Sequence, residues 1–219
     1  MLNWIEKRTG FVSMTKEFLT EDVPGGASYW YVFGSATLFA MIVQIVTGIF
    51  LTFFYAPSAA TAWESTRAIY LNPWTHFLLA VHYWGASAMI ALVFLHLLQV
   101  LIFGAYKSPR ELQWVVGVLL LLVTLVLGLT GYLLPWDQLA FWAVTVGTNI
   151  ISAMPVIGSK VRFVALGGHI VGENALLRFY VLHVVILPLL AFLFIGVHFW
   201  RVQKDGGLTT GLKDDDGKN

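Results

Sequence analysis

The sequence predicts an all-α integral membrane protein built as a four-helix bundle, and three observations predict it. Hydrophobic residues make up 58% of the 219 and charged residues only 11%, far from the balance of a soluble domain. Four segments, residues 30–54, 77–103, 112–134 and 179–200, contain no Asp, Glu, Lys or Arg, and each is long enough for a bilayer, which needs about 20 residues. Four of the six histidines lie inside the second and fourth of these segments, where polar groups are expensive and face a bundle interior.

Taken in order, residues 1–30 read as an amphipathic surface segment with an N-terminal surface helix. A signal peptide is excluded because Glu6, Lys7, Arg8, Lys16, Glu17, Glu21 and Asp22 interrupt any apolar run. The first span follows, and the connection 55–76 carries Leu-Asn-Pro-Trp, a turn signal. A short basic link, "GAYKSPREL", joins the second and third spans, with Pro109 placed to open the third helix. The connection 135–178 is long, and its stretch "DQLAFWAVTVGTNIISAMP" suits short helices lying on the outer surface. The tail, from about 205 to 219, is polar and Gly-rich and expected to be mobile. Residues 1–219 form one domain.

Basic residues set the orientation. With the N-terminus inside, Lys7, Arg8, Lys16, Lys107, Arg110, Arg201, Lys204, Lys213 and Lys218 are inner, and Arg67, Lys160, Arg162 and Arg178 outer. The first and third spans then run outward, the second and fourth inward. The net charge of +1 carries no signature of a nucleic-acid partner. The absence of cysteine excludes disulfides, thiolate metal sites and thioether-bound haem.

His82 and His96 are fourteen residues apart on the second span. In a helix that spacing returns to within about 40° of the starting direction, so both face one side about 21 Å apart. His183 and His198 repeat the arrangement on the fourth span, giving one facing pair near each membrane surface. Glycines mark the same depths. Gly34 and Gly48 on the first span, and Gly117 and Gly131 on the third, are also fourteen apart. The outward run of those spans puts Gly48 and Gly131 at the level of His82 and His183, and Gly34 and Gly117 at the level of His96 and His198. A flat ligand the size of a porphyrin needs such relief, whereas a bare metal ion does not. Two histidines per iron fill both axial sites, which suits electron transfer over oxygen chemistry. The sequence therefore predicts a four-helix bundle enclosing two haems. Fifteen residues separate His183 from His198 and would leave them about 60° apart in an unbroken helix, so a π-bulge near Pro188 is expected to absorb the extra residue.

At these residues the chain resembles cytochrome b of the cytochrome bc-type complexes. The resemblance covers almost the whole chain and is carried by "YKSPREL", "GYLLPWDQ", "SAMPVIGS" and "LRFYVLHVVILPLL". The four-helix length and the fifteen-residue histidine spacing are similar to the short, split form of the chloroplast and cyanobacterial type. That resemblance implies two non-covalent b-type haems, the outer on His82 and His183 and the inner on His96 and His198. It implies quinol oxidation near the outer face, with one electron passing to a Rieske iron–sulfur protein and a c-type cytochrome. The other crosses the membrane through both haems to reduce quinone near the inner face, coupled to proton translocation. It also implies a second membrane subunit supplying the C-terminal half of cytochrome b, a dimer of complexes, and an energy-transducing membrane such as the bacterial cytoplasmic membrane. The chain alone would be inactive.

The resemblance further assigns Gln44 to the outer haem and Trp114 to the inner one, and places Tyr132, Pro135, Trp136, Trp142, Ala143 and Pro155 on quinol-site segments. Arg201 and Lys204, just beyond His198, are candidates to pair with inner haem propionates or quinone. The pattern departs at three positions: Leu79 and Gln99 stand where the family has arginines, and Val32 stands where the chloroplast type attaches a further haem through cysteine. A haem bound covalently there is excluded. The rivals are a dihaem anchor of a hydrogenase or formate dehydrogenase and, from another class, an intramembrane-histidine proton or metal transporter. The first lacks "PWDQ" and the glycine ladder. The second calls for carboxylates beside the histidines, and the four spans contain none.

Overall fold

The computed structural model describes residues 2–10, 12–13 and 32–207, and among these the regular structure is entirely helical. In chain order the helices are α1 (Leu2–Thr9), α2 (Val32–Thr52), α3 (Ala62–Leu71), α4 (Pro73–Ile102), α5 (Glu111–Leu133), α6 (Gln138–Ser152), α7 (Gly158–Leu166), α8 (Glu173–Val181) and α9 (Leu187–Asp205). A single π turn, Leu182–Ile186, joins α8 to α9 in one continuous rod. Helices α2, α4, α5 and the α8–α9 rod are long and apolar enough to cross a membrane.

The second and fourth spans begin ahead of their charge-free segments. Asn72 accepts hydrogen bonds from Trp74 N at 3.0 Å and Thr75 N at 3.4 Å, and Pro73 takes the first helical position. That combination starts α4 four residues ahead of the apolar stretch. The fourth rod likewise begins at Glu173 and contains Arg178. Pro109 does not open α5: Arg110 is the N-cap and Glu111 the first helical residue. The connection 135–178 forms α6 and α7 as expected of it. In the connection 55–76, α3 is an additional helix that buries Ala62 and Ile69, seven residues apart on one face. Helix α1 lies within the expected surface segment, while residues 14–31 lie outside the described residues. Of the expected tail, Asp205 ends α9 and residues 208–219 are outside the described ones.

The most extensive packing joins α2 to α4 and α5 to α9. Each pair combines one glycine-bearing helix with one histidine-bearing helix. Between the two histidine levels the pairs meet in an apolar cluster of Met41, Met89, Val123, Leu127, Leu187 and Ala191. Met41 is seven residues from both Gly34 and Gly48, and Met89 seven from both His82 and His96, so this cluster is a floor separating two levels. A second cluster, Leu133, Ala140, Val144, Leu166 and Ala175, holds α6 and α7 over the end of the bundle. Tyr55 donates to the Leu134 carbonyl at 2.7 Å, and Ala59 N donates to Glu173 Oε2 at 2.6 Å. These bonds tie the 55–76 connection to the same end.

The π turn meets the expectation for the fourth rod. Leu187 N bonds to Leu182 O, five residues back, immediately before Pro188, whose ring nitrogen has no proton to give Val184. One residue is absorbed, and the fifteen-residue spacing acts as fourteen.

Candidate functional site

Each of the four glycines faces one histidine. A Cβ built on Gly48 would lie 3.2 Å from His82 Cε1, and one on Gly131 would lie 2.6 Å from His183 Cε1. At the other level the distances are 3.3 Å from Gly34 to His96 Cε1 and 3.4 Å from Gly117 to His198 Cε1. A side chain at Gly131 would push into its imidazole and those at Gly48 and Gly34 would press on theirs, whereas a Cβ at Gly117 would make ordinary contact. The His82 and His183 rings have centroids 6.2 Å apart, with planes at 80°. Two imidazoles bonded to opposite sides of one metal ion, through bonds of about 2 Å, would have ring centres about 6 Å apart. The donor set fits a haem: His82 and His183 come as an opposed pair, and at both levels each histidine lies beside side-chain-free helix surface. Among the described residues no three His, Asp or Glu side chains gather to hold a bare metal ion.

At the level of Gly48 and Gly131 the histidine Nδ1 atoms are held by groups that sequence reasoning missed. Thr47 Oγ1 lies 2.9 Å from His82 Nδ1 and spends its own proton on Val43 O at 2.6 Å. The hydroxyl oxygen is then an acceptor, so Nδ1 carries the ring proton and Nε2 is left with a free lone pair. Thr130 repeats this on α5, donating to Val126 O at 2.8 Å while standing 3.1 Å from His183 Nδ1. Leu127 O offers His183 a second acceptor at 3.1 Å. The available signal was a Thr-Gly dipeptide on both glycine helices at this level, with Phe-Gly and Val-Gly at the other. There, His96 Nδ1 meets Gln99 Oε1 at 3.1 Å. His198 Nδ1 is turned toward the Gln113 backbone but falls short of hydrogen-bond geometry.

Gln44 is buried, stacks its amide over Gly85 on α4, and leaves Nε2 without a partner. Trp114 packs its ring 5.9 Å from Tyr106. The six quinol-site candidates divide. Trp136 and Ala143 pack against the apolar cluster under α6; Tyr132, Trp142 and Pro155 are exposed, and Pro135 is half-buried. Trp136 has a positive φ of 53°. Asp137 of the same motif caps α6, accepting from Ala140 N at 2.7 Å. Arg201 pairs with Asp205, both side chains largely buried, whereas Lys204 is exposed with its ammonium 5.3 Å from the Trp200 ring. Arg110, buried to 7% exposure, donates to Gly207 O at 2.9 Å. Gln99 Nε2, Arg110 Nε, Gln113 Oε1 and Arg201 Nε are all buried without hydrogen-bond partners, each a polar atom that calls for an explanation.

Residues 18–206 match the family model described as cytochrome b/b6/petB. The chain belongs to the cytochrome b family. It is a cytochrome b of the bc-type complexes, an integral membrane protein of electron transport, and membership in this family implies haem. The menaquinol:cytochrome c reductase cytochrome b subunit of Bacillus subtilis (strain 168) is 41% identical over 216 residues, covering 93% of this chain and 95% of the relative. Cytochrome b6 of Auxenochlorella protothecoides is 39% identical over 207 residues, with the same coverage of 93% and 95%. Among solved structures, a chain of a hyperthermophilic respiratory Complex III superposes with a TM-score of 0.85 at 31% identity. All of this cytochrome b is covered, and it spans 59% of that chain.

Proposed function

We propose that this cytochrome b is the dihaem subunit of a quinol:cytochrome c-type oxidoreductase, oxidising quinol at the outer face and reducing quinone at the inner face with coupled proton translocation. The observation that carries this reading is the one-to-one facing of four glycines and four histidines at two levels. His82 and His183 would hold the outer haem and His96 and His198 the inner one, and haems bound there would supply reversible one-electron transfer. Thr47 and Thr130 keep the ring protons on Nδ1 and so keep Nε2 available. Gly34, Gly48, Gly117 and Gly131 admit the flat ring, and Gln44 Nε2 is a free donor beside the outer pair.

At the inner end Arg201 pairs with Asp205, while the buried Arg110 donates to Gly207 O and has no ion pair among the described residues. An unpaired buried cation is costly, so this excess positive charge suits a propionate or an anionic quinone species. Lys204 leaves that role and serves as an interfacial anchor with Trp200. Tyr132, Trp142 and Pro155 would form the open rim of the quinol site, with Trp136 and Ala143 as its packed wall. The exposed apolar faces of the long helices suit lipid and a second membrane subunit carrying the rest of the site, and a Rieske protein and a c-type cytochrome would take electrons at the outer face. The N-terminus lies inside on the count of basic residues.

The test is the reduced-minus-oxidised visible spectrum of the membrane protein. Two b-type haems are expected, with His82→Ala or His183→Ala removing one and His96→Ala or His198→Ala the other. A colourless protein, or one such change that leaves both haems intact, would refute the assignment.

A further inference from the structure

His96 is held differently from the outer histidines. His82 and His183 each meet a threonine hydroxyl on the glycine helix facing them. The Nδ1 of His96 meets Gln99, three residues along its own helix, at 3.1 Å. Gln99 is only 1% exposed, and its Nε2 is buried without a hydrogen-bond partner. Burying an unpaired amide N–H is costly. An apolar residue of equal size would fill the space without that penalty. What the amide offers in return is its oxygen. A histidine whose Nε2 is reserved for a metal must carry its proton on Nδ1, so the amide has to present Oε1 to the ring and turn its NH2 away. That is the arrangement found, and the stranded Nε2 is its consequence.

We propose that Gln99 is the positioning residue of the inner site. Its carboxamide fixes the tautomer and rotation of His96 and, as an uncharged acceptor on the ligand's own helix, sets the donor strength of that ligand independently of the outer pair. The proposal rests on the dihaem reading. An acceptor on Nδ1–H makes the imidazole a better donor and favours oxidised iron, so losing the acceptor moves the inner haem potential upward.

Two variants in the assembled complex test this, read by redox titration of the two resolved haems and by the low-spin electron paramagnetic resonance signal of the inner one. Gln99→Met keeps the volume and offers no oxygen. Its inner-haem midpoint potential should rise and the signal broaden, with the outer haem unchanged. Gln99→Glu keeps an oxygen acceptor of the same reach and should retain the inner haem at a lowered potential. Loss of the inner haem in Gln99→Met with retention in Gln99→Glu still supports the acceptor role. Loss in both variants, or an inner haem in Gln99→Met whose potential is unmoved or lowered, overturns the proposal. Unsubstituted protein with fewer than two haems overturns the dihaem reading instead, which keeps the two failures apart.

Discussion

At Gly131 an added Cβ would stand 2.6 Å from His183 Cε1, whereas at Gly117 the approach to His198 is 3.4 Å, ordinary van der Waals contact. Replacement by alanine should therefore be graded. Gly131→Ala forces a ring or a backbone to move, at about 1–3 kcal/mol for overpacking a filled interior, and haem content by spectrum should fall at the outer site alone. Gly117→Ala should keep both haems; equal occupancy in the two variants would show that the glycines serve helix packing only. The hydroxyls give a companion test. Thr47→Val keeps the shape but removes the acceptor of His82, and outer-site haem affinity should drop about 10–100-fold, the usual cost of losing a group that orients a metal ligand; Thr130→Val should cost less, because Leu127 O still accepts from His183. Retained affinity on haem titration would dismiss the orienting role. The histidines and glycines were legible in the sequence because an imidazole in lipid needs a reason and a missing side chain leaves a depth mark. The threonines were not. A helical threonine ordinarily bonds its own i−4 carbonyl, as Thr47 and Thr130 both do, and only the fold reveals that the same oxygen also accepts.

The π turn Leu182–Ile186 contains His183 itself and ends beside Pro188. It allows a deletion experiment that separates register from length. Removing Val185 should let the segment close as an ordinary helix and leave the histidines fourteen apart, the spacing of His82 and His96, so both haems should persist. Removing Phe192, beyond the proline, takes a residue from α9 where no bulge can absorb the change. His198 would rotate by about 100°, and the inner haem should be lost. Identical spectra for the two deletions would mean that the turn does not set the register. Elements of this kind were legible when a periodicity conflicted with itself, as fifteen residues did with fourteen. Helix ends and α3 were not, because Asn72, Pro73 and the two buried residues of α3 act through caps and contacts that a count of apolar residues does not register.

The whole molecule is two similar helix pairs, α2 with α4 and α5 with α9, closed around a floor of Met41, Met89 and Leu187. The histidine levels stay apart because that floor is filled. Proton handling is less evenly supplied. At the end of the bundle carrying α6, Asp137 caps that helix through Ala140 N at 2.7 Å, Glu173 accepts from Ala59 N at 2.6 Å, and Glu64 lies 4.0 Å from Arg67. The one acid in the Pro-Trp-Asp-Gln motif therefore caps a helix, and under the proposed function the proton acceptor for quinol oxidation would come from another chain. Two outcomes follow. The purified chain should show two reducible haems and negligible quinol:cytochrome c turnover. In the reconstituted complex Asp137→Asn should retain turnover, since asparagine caps a helix as well as aspartate does, while Asp137→Ala should lower stability by about 1 kcal/mol. Turnover abolished by Asp137→Asn, with thermal stability and both haems intact, would make Asp137 the proton acceptor and reverse this division of roles.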